Sequence, residues 1–343
     1  MRQLTVGKND AGQRADKFLS KALVNLPSSL LYKFIRKKCI KLNGKKCEAN
    51  TILKDGDIFS LYISDEFFPL KSIEENSKYQ AAYLDLTPEK DIAYEDENIL
   101  VLDKKSGITV HPGYDGEKMP KSGNDIYLID LILGYLYKKK EYVPEEENSF
   151  CPALCNRLDR NTAGLIICAK NAEALRIMNQ KIKDRELKKL YYCEVCGIFQ
   201  KKEAVLSDFL YKDKETNRVY IFKTREEAKQ KMKIKYDDDI KTVITKYTVK
   251  GEKNSSSLLL VDLITGRTHQ IRAHLAYYGH PLIGDGKYGI VHSKRSADMR
   301  QALYSYSIEF SFSSDAGILS YLDGKKICGK PQEFMKKYNL KKY

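Results

Sequence analysis

The chain has 343 residues, more than one ordinary domain of about 100–200 residues, so two or more packed units are expected. Hydrophobic residues make up 42% and charged residues 31%, which excludes a largely disordered chain. The 60 Lys+Arg against 46 Asp+Glu leave a formal net charge of +14, a field suited to a polyanionic partner such as RNA.

The N-terminus lacks the apolar core of a secretory signal. The most lipid-like stretch, residues 126–137, contains Asp130 and is too short to span a bilayer. A cytoplasmic protein without membrane contact is expected, with its eight cysteines as reduced thiols and no disulfide framework.

In chain order, Ala15, Phe18, Leu19, Ala22, Leu23 and Leu26 recur at helical spacing and predict a first helix. Ser28 or Ser29 is placed to cap a second, which turns Leu30, Leu31, Phe34 and Ile35 inward and Lys33, Arg36, Lys37 and Lys38 outward. Ile40-Lys41-Leu42, the turn pair Asn43-Gly44 and Lys45-Lys46 read as a tight hairpin, and Asp55-Gly56-Asp57 introduces a strand over 58–63. Such a basic face is either solvated surface or a track for phosphates, which grips without reading sequence.

Residues 64–90, acidic and polar with Pro69 and Pro88, read as a linker. Beyond them, residues 99–102 predict a strand, Lys104-Lys105-Ser106-Gly107 a turn, and a second short strand ends at His111-Pro112. Residues 126–136 suit a helix between surface loops. Residues 156–170 combine a polar head, expected at a strand edge, with an apolar strand over 165–168. Residues 189–197 alternate as a strand, with Tyr191, Cys193 and Val195 on one face and Tyr192, Glu194 and Cys196 on the other. Cys193 and Cys196 therefore point apart, which is unsuited to a shared metal or disulfide. Thr268 is placed to cap a helix with Ile271, His274, Leu275 and Tyr278 on one stripe, ended by Gly279. A last strand spans 302–312, and the basic residues 325–343 read as peripheral.

Three positions carry candidate chemistry. Asp159 lies between Arg157 and Arg160, where positive charge favours the carboxylate form that nucleophilic attack requires, although Asp with Thr and Gly is also ordinary turn chemistry. Arg267, His269 and Arg272 fall at the positive end of a helix, which disfavours cations, so they either meet an anion, carboxylate or phosphate, or reach solvent. Tyr191 can line a cleft, though strand tyrosines mostly pack in cores. A metal site on His269, His274 and His280 is disfavoured, because His269 and His274 are five apart on the helix rather than four.

Residues 13–63 resemble the S4 RNA-binding domain through Arg14-Ala15-Asp16-Lys17-Phe18-Leu19, the Asn-Gly hairpin and the later Gly-Asp. Residues from about 91 to 312 resemble the RluA-type family of pseudouridine synthases. The resemblance is carried by Arg157-Leu158-Asp159-Arg160-Asn161-Thr162-Ala163-Gly164, by the Lys189-x-Tyr191-x-Cys193-x-Val195-x-Gly197 pattern, and by Gly266-Arg267-Thr268-His269-Gln270-Ile271-Arg272. His280-Pro281, Gly284-Asp285 and Tyr288-Gly289 complete it, with Glu95-Asp96, Lys104, Gly107 and His111-Pro112 as a first block. Asn156, Ala163 and Lys105 depart from the usual His, Ser and Pro.

The resemblance implies an α+β protein: a mostly antiparallel mixed sheet with flanking helices, preceded by a small S4-like module. The expected divisions are 1–63 for the module, 64–90 for the linker, 91–320 for the synthase domain and 321–343 for a basic tail. It also implies isomerisation of uridine to pseudouridine in structured RNA by a monomer that needs no cofactor or metal. Asp159 would be the nucleophile, Tyr191 would lie against the base and Arg272 would orient Asp159. Arg14, Lys17, Lys33, Arg36, Lys37, Lys45, Arg157, Arg160, Arg267 and His269 are the candidate RNA contacts. Large-subunit (23S-type) ribosomal RNA is the favoured substrate, with tRNA second. A non-catalytic S4-containing RNA-binding or ribosome-assembly factor is the alternative.

Overall fold

A computed structural model describes residues 1–68, 91–112, 126–234, 236–289 and 300–338. The N-terminal module contains β1 (Arg2–Thr5), α1 (Ala15–Ala22), α2 (Ser28–Arg36), β2 (Ile40–Leu42), β3 (Lys45–Lys46) and β4 (Ile58–Leu61). Its strands run in the order β1-β4-β2-β3, all antiparallel. The helices bury Phe18, Leu19, Leu31 and Ile35 against Phe59 and Leu61, and the rings of Phe18 and Phe59 stack at 5.4 Å. Asn43 and Gly44 both take positive φ, which the tight β2–β3 turn requires.

Three details differ from expectation. Neither Ser28 nor Ser29 caps α2: Pro27 precedes it and accepts from the backbone N–H groups of Leu30 and Leu31. The strand over 58–63 stops at Leu61, because the N–H of Tyr62 turns to the carbonyl of Cys39. The strand β1 had too short a pattern to read, and exists through its ladder with β4. Most of the expected linker lies outside the described residues.

The module docks on the larger unit through polar contacts. Asn9 donates to Glu147 at 2.6 Å, Gln13 to Ser149 at 2.9 Å and Ser149 to Asp10 at 2.5 Å. Arg176 reaches the carbonyl of Ala11 at 3.1 Å.

The larger unit is built on one sheet. Its strands are β5 (Ile92–Glu95), β6 (Ile99–Lys104), β7 (Ala153–Leu154), β8 (Ala163–Ala169), β9 (Leu187–Cys196), β10 (Glu203–Lys212), β11 (Val219–Phe222), β12 (Ile240–Lys253), β13 (Ser256–Leu263), β14 (Leu303–Phe310) and β15 (Lys326–Cys328). The main path is β11-β10-β12-β13-β9-β14-β8-β6-β5, with β15 on β14 and β7 on β8. Among the described pairs only β14 and β8 run parallel, so the sheet is mixed and mostly antiparallel, as expected. The helices are α3 (Leu128–Lys138), α4 (Ala172–Lys183), α5 (Arg225–Met232), α6 (Gln270–Tyr277) and α7 (Glu333–Lys336). Strand alternation sorts the core: Leu100, Leu102 and Ile166 pack with α3, whereas Ile99, Val101 and Ile167 face α4. No helix among the described residues is long and apolar enough to cross a membrane.

The predicted second strand ending at His111 is absent. Residues 105–112 instead form a loop, because the buried ammonium of Lys104 gathers the carbonyls of Lys105, Ile108 and Arg160, each at 3.0 Å. The strand paired with β6 comes from upstream, as β5. The basic C-terminal segment is not peripheral as far as residue 338. Strand β15 extends the sheet, Met335 is buried, and the Tyr338 hydroxyl donates to Glu194 at 2.8 Å. All eight cysteines are free thiols, and Tyr191 and Tyr192 face different clusters as the alternation of β9 requires.

Candidate active site

Three chain segments converge on one pocket: the loop between β7 and β8, strand β9, and the start of α6. In the loop, the N–H of Thr162 donates to the carbonyl of Asp159 at 3.0 Å, which closes a turn. That turn is clamped on both sides. Lys104 and the N–H of Gly107 take the Arg160 carbonyl, and Gln301 donates to the Thr162 hydroxyl at 3.0 Å. Leu158 is buried beneath it. Gly164 then passes so close to β14 that an added Cβ would lie 2.3 Å from the Ser305 carbonyl oxygen, so only glycine lets the strand leave the turn here. Asn156, at one of the departures noted above, accepts from the N–H of Ile167 at 2.7 Å and ties the head of the loop to β8.

Helix α6 begins at Gln270, and Thr268 does not cap it. His269 is the N-cap residue, in the left-handed region at φ 51°, with no side-chain cap. Gln270 locks the entry instead, accepting from the N–H of Arg267 and donating to the Ile244 carbonyl and the Thr245 hydroxyl.

From the first turn of this helix, Arg272 reaches two carboxylates. Its Nε and Nη2 donate to Asp285 at 2.8 and 3.0 Å, a two-point fork, and its Nη1 donates to Asp159 at 2.8 Å. The side chain of Asp285 is wholly buried and also accepts from the N–H groups of Lys287 and Tyr288. Burial pulls against charge on both groups. The pairing outweighs it, so the Arg272 guanidinium is held above its ordinary value and the Asp285 carboxyl below its own. A cation at a helix start thus has the anions that the macrodipole demands.

Two aromatic residues complete the surroundings. The ring of Tyr288 lies 5.3 Å from the Arg272 guanidinium, and its hydroxyl bonds His269 Nδ1 at 2.9 Å. Tyr191, on β9, is buried; burial above all pushes its phenol up to about 12, and the charge of Asp159 adds to the effect. Asp159, Tyr191, Lys189, Arg267, His269 and Arg272 line one cavity of about 220 Å³. The arrangement offers a carboxylate oxygen, aimed by a guanidinium that is itself immobilised, at the edge of a pocket with an aromatic wall. Among the described residues, no group of His, Cys, Asp and Glu is arranged to hold a metal ion.

Residues 98–277 match the RNA pseudouridylate synthase family, and residues 13–59 match the S4 domain. The chain belongs to the RNA pseudouridylate synthase family. The synthase is 31% identical over 332 residues to an RNA pseudouridine synthase of Mycoplasma capricolum, spanning 96% of this chain and 98% of the relative. It is 29% identical to ribosomal large subunit pseudouridine synthase C of Pasteurella multocida, over 90% of this chain and 86% of the relative. In fold it is similar to human RNA pseudouridylate synthase domain containing 1, with a TM-score of 0.53 at 20% identity over 72% of this chain and 85% of that one. Human RNA pseudouridylate synthase domain containing 4 gives a TM-score of 0.54 at 17% identity, over 77% of this chain and 94% of that one. The synthase is accordingly an isomerase acting on RNA, with an S4 domain at its N-terminus.

The structure brings Asp159, Tyr191 and Arg272 to one pocket from separate parts of the chain. Arg157 and Arg267 are exposed nearby, and Arg157 donates to the Thr268 hydroxyl at 2.6 Å, joining the Asp159 loop to the approach of α6. Arg160 is exposed, with its Nε on the Gly107 carbonyl. Lys17, Lys33, Arg36, Lys37 and Lys45 are exposed on the S4 domain, and Arg14 is exposed too but paired with the buried Asp16 at 2.8 Å. In the sequence, Asp285, Tyr288 and Lys104 stand out only as parts of a motif. Their contacts to Arg272, His269 and the Asp159 loop cross chain separations that no local pattern encodes.

His269, a candidate RNA contact, lies inside the site. It is buried, its Nε2 lies 4.0 Å from Asp159, and burial chiefly drives its imidazole down to about 4 despite that carboxylate. It is therefore neutral at pH 7 in the folded synthase. Its folded value is depressed, so unfolded chains take up a proton below about 6.5 that the folded state refuses until about 4. Stability due to the neutral form is present above pH 6.5 and declines as pH falls through that window. In urea unfolding at pH 7 to 4.5, the stability advantage of the wild type over His269→Gln is expected to shrink with acidification; an advantage that grows would contradict a neutral buried imidazole.

Proposed function

We propose that the synthase converts uridine to pseudouridine in large-subunit ribosomal RNA, with Asp159 as the nucleophile. The observation that carries the assignment is the aim of Asp159: its Oδ2 takes the one guanidinium nitrogen of Arg272 that Asp285 leaves free for it, at the rim of the pocket walled by Tyr191. Uridine and pseudouridine are isomers. The N1–C1′ bond breaks, the base turns, a C5–C1′ bond forms, and the C5 proton is lost while N1 gains one. Asp159 attacks either the sugar or the base to open this sequence, and Arg272 orients it. The target base is inaccessible while stacked, so it is flipped into the pocket against Tyr191. The exposed lysines and arginines of the S4 domain hold the RNA backbone, a contact without sequence information.

Relatives named for the ribosomal large subunit support this substrate over tRNA. A purely RNA-binding factor is the less favoured reading, since it gives no reason for a carboxylate, a guanidinium and a phenol to share one cleft. The test is incubation of the full chain with ribosomal RNA and tRNA transcripts, followed by carbodiimide treatment and reverse transcription. New stops are expected in the large-subunit RNA. Stops confined to tRNA would overturn the substrate, and none in any RNA would overturn the catalytic reading.

A further inference from the structure

Lys189 stands two positions before Tyr191 on β9, so strand alternation turns both side chains to one face, and both line the cavity beside Asp159. The head of the side chain reaches the cavity wall: a Cβ added to Gly266, another lining residue, would lie 4.0 Å from Lys189 Nζ. Among the described residues this nitrogen has no hydrogen bond and no ion pair. Burial is what acts on it, pulling the amine below the ordinary lysine value. It is not sealed in, since Lys189 Nζ is not one of the wholly buried side-chain atoms that lack a partner.

Other lysines withdrawn from solvent are paired. Lys104 holds three carbonyls, Lys170 reaches Glu95 at 3.2 Å and Lys181 reaches Glu186 at 2.7 Å. Among the described residues that line the cavity, Asp159 is the one acid, and Arg272 already takes it. A half-buried cation without an anion is costly in the resting protein. The reaction itself makes the missing anion.

Uracil enters the cavity neutral. If Asp159 attacks the sugar, the electron pair of the N1–C1′ bond stays on N1 and spreads to O2 and O4; if it attacks the base, the C5–C6 pair moves to O4. Either opening turns the base into an anion. Once C5 has bonded to C1′ and Asp159 has left as a carboxylate, the base is neutral again; the C5 proton is lost and N1 gains one. We propose that Lys189 is a further catalytic residue, whose ammonium stabilises the anionic base while it is detached from the sugar. A cation held ready where charge develops, and unpaired before it does, favours the transition state over the bound substrate. Arg157 and Arg267 line the same cavity and are exposed, which suits them better to a phosphodiester. The inference rests on the reading above that the target base lies against Tyr191.

The test is single-turnover conversion of the large-subunit transcript at saturating enzyme, with filter binding and thermal melting of each variant. Lys189→Met is expected to slow conversion by about 100- to 1000-fold. It should bind the RNA within about twofold of wild type and melt no lower, because no contact within the protein is lost. An unchanged saturating rate with weakened binding and a salt slope smaller by about one would make Lys189 a phosphate contact and overturn the proposal. If the methionine variant melts early, Lys189→Gln is measured in its place; early melting of both would make the residue structural and overturn it too. The transcript with 5-fluorouridine at the converted position gives a readout that a merely misshapen pocket would not move. Its base is the more stable anion and leans less on a cation. The deficit of Lys189→Met, read as loss of 5-fluorouridine from nuclease digests, should therefore shrink by about tenfold; an undiminished deficit would overturn the proposal. A wild type that converts no RNA would overturn the function proposed above. A wild type that converts, with Lys189→Met keeping pace, would overturn this inference alone.

Discussion

Asp159→Asn is expected to abolish pseudouridine formation, by at least about a thousandfold, while leaving the fold and RNA affinity largely intact. The substitution keeps the shape of the side chain but removes the anion proposed as the nucleophile. Its structural cost is bounded by what Asp159 does in the turn. The carbonyl that receives the Thr162 N–H belongs to the backbone and is retained, and so are the anchors of Lys104 and Gln301. The charge-assisted bond from Arg272 Nη1 is weakened, at a cost of about 1.5–3 kcal/mol, but Arg272 keeps its fork on Asp285 and is not left unpaired. Single-turnover conversion of the large-subunit transcript, filter binding of the same RNA and thermal melting together check the expectation. Appreciable turnover by a well-folded variant would remove Asp159 from the nucleophile's role. Loss of binding in parallel would make it an RNA contact instead.

The larger effect on stability is expected from Asp285→Ala. This change strips a buried guanidinium of its two-point partner and leaves the N–H groups of Lys287 and Tyr288 without their acceptor. Removing one member of a buried ion pair typically costs about 3–5 kcal/mol, because the surviving charge remains desolvated. Activity should fall with it, since Arg272 is then free to settle on Asp159 in another geometry. Urea unfolding of the variant provides the stability measurement, and conversion by the folded fraction at low urea provides the second readout. A loss below about 1 kcal/mol would mean that Arg272 finds water or another carboxylate, and that Asp285 is not what holds it. The Asp285→Asn variant is expected to lie between, because its amide accepts through one oxygen only.

Local regularity made some of the protein legible from its residues. The start of α1, the Asn43-Gly44 turn, the alternation of β9 and the apolar run of β8 each depend on neighbours within a few residues and form as expected, although α1 ends at Ala22, before Leu23 and Leu26 of its predicted stripe. Where the reading failed, a distant partner decided. The second short strand before His111 yielded to Lys104, whose ammonium ties three carbonyls into a loop, one of them 56 residues away. The C-terminal segment looked peripheral by its lysines, but β14 offered an edge for β15, and Glu194 offered Tyr338 an acceptor. Thr268 had the chemistry of a cap, yet the chain enters α6 through a left-handed His269 because Gln270 is pinned to Ile244 and Thr245.

The residues alone place Asp159, Tyr191 and Arg272 in patterns resembling one family, and leave the cations at the start of α6 either to meet an anion or to reach solvent. Tertiary packing settles between them: the anions are Asp159 and the buried Asp285, and His269 is a buried neutral imidazole. The reason is the range of the forces involved. Periodicity and turn chemistry act between residues a few positions apart and leave their mark in the sequence. Burial and the geometry of an ion pair exist only after strands and helices from separate parts of the chain have packed together.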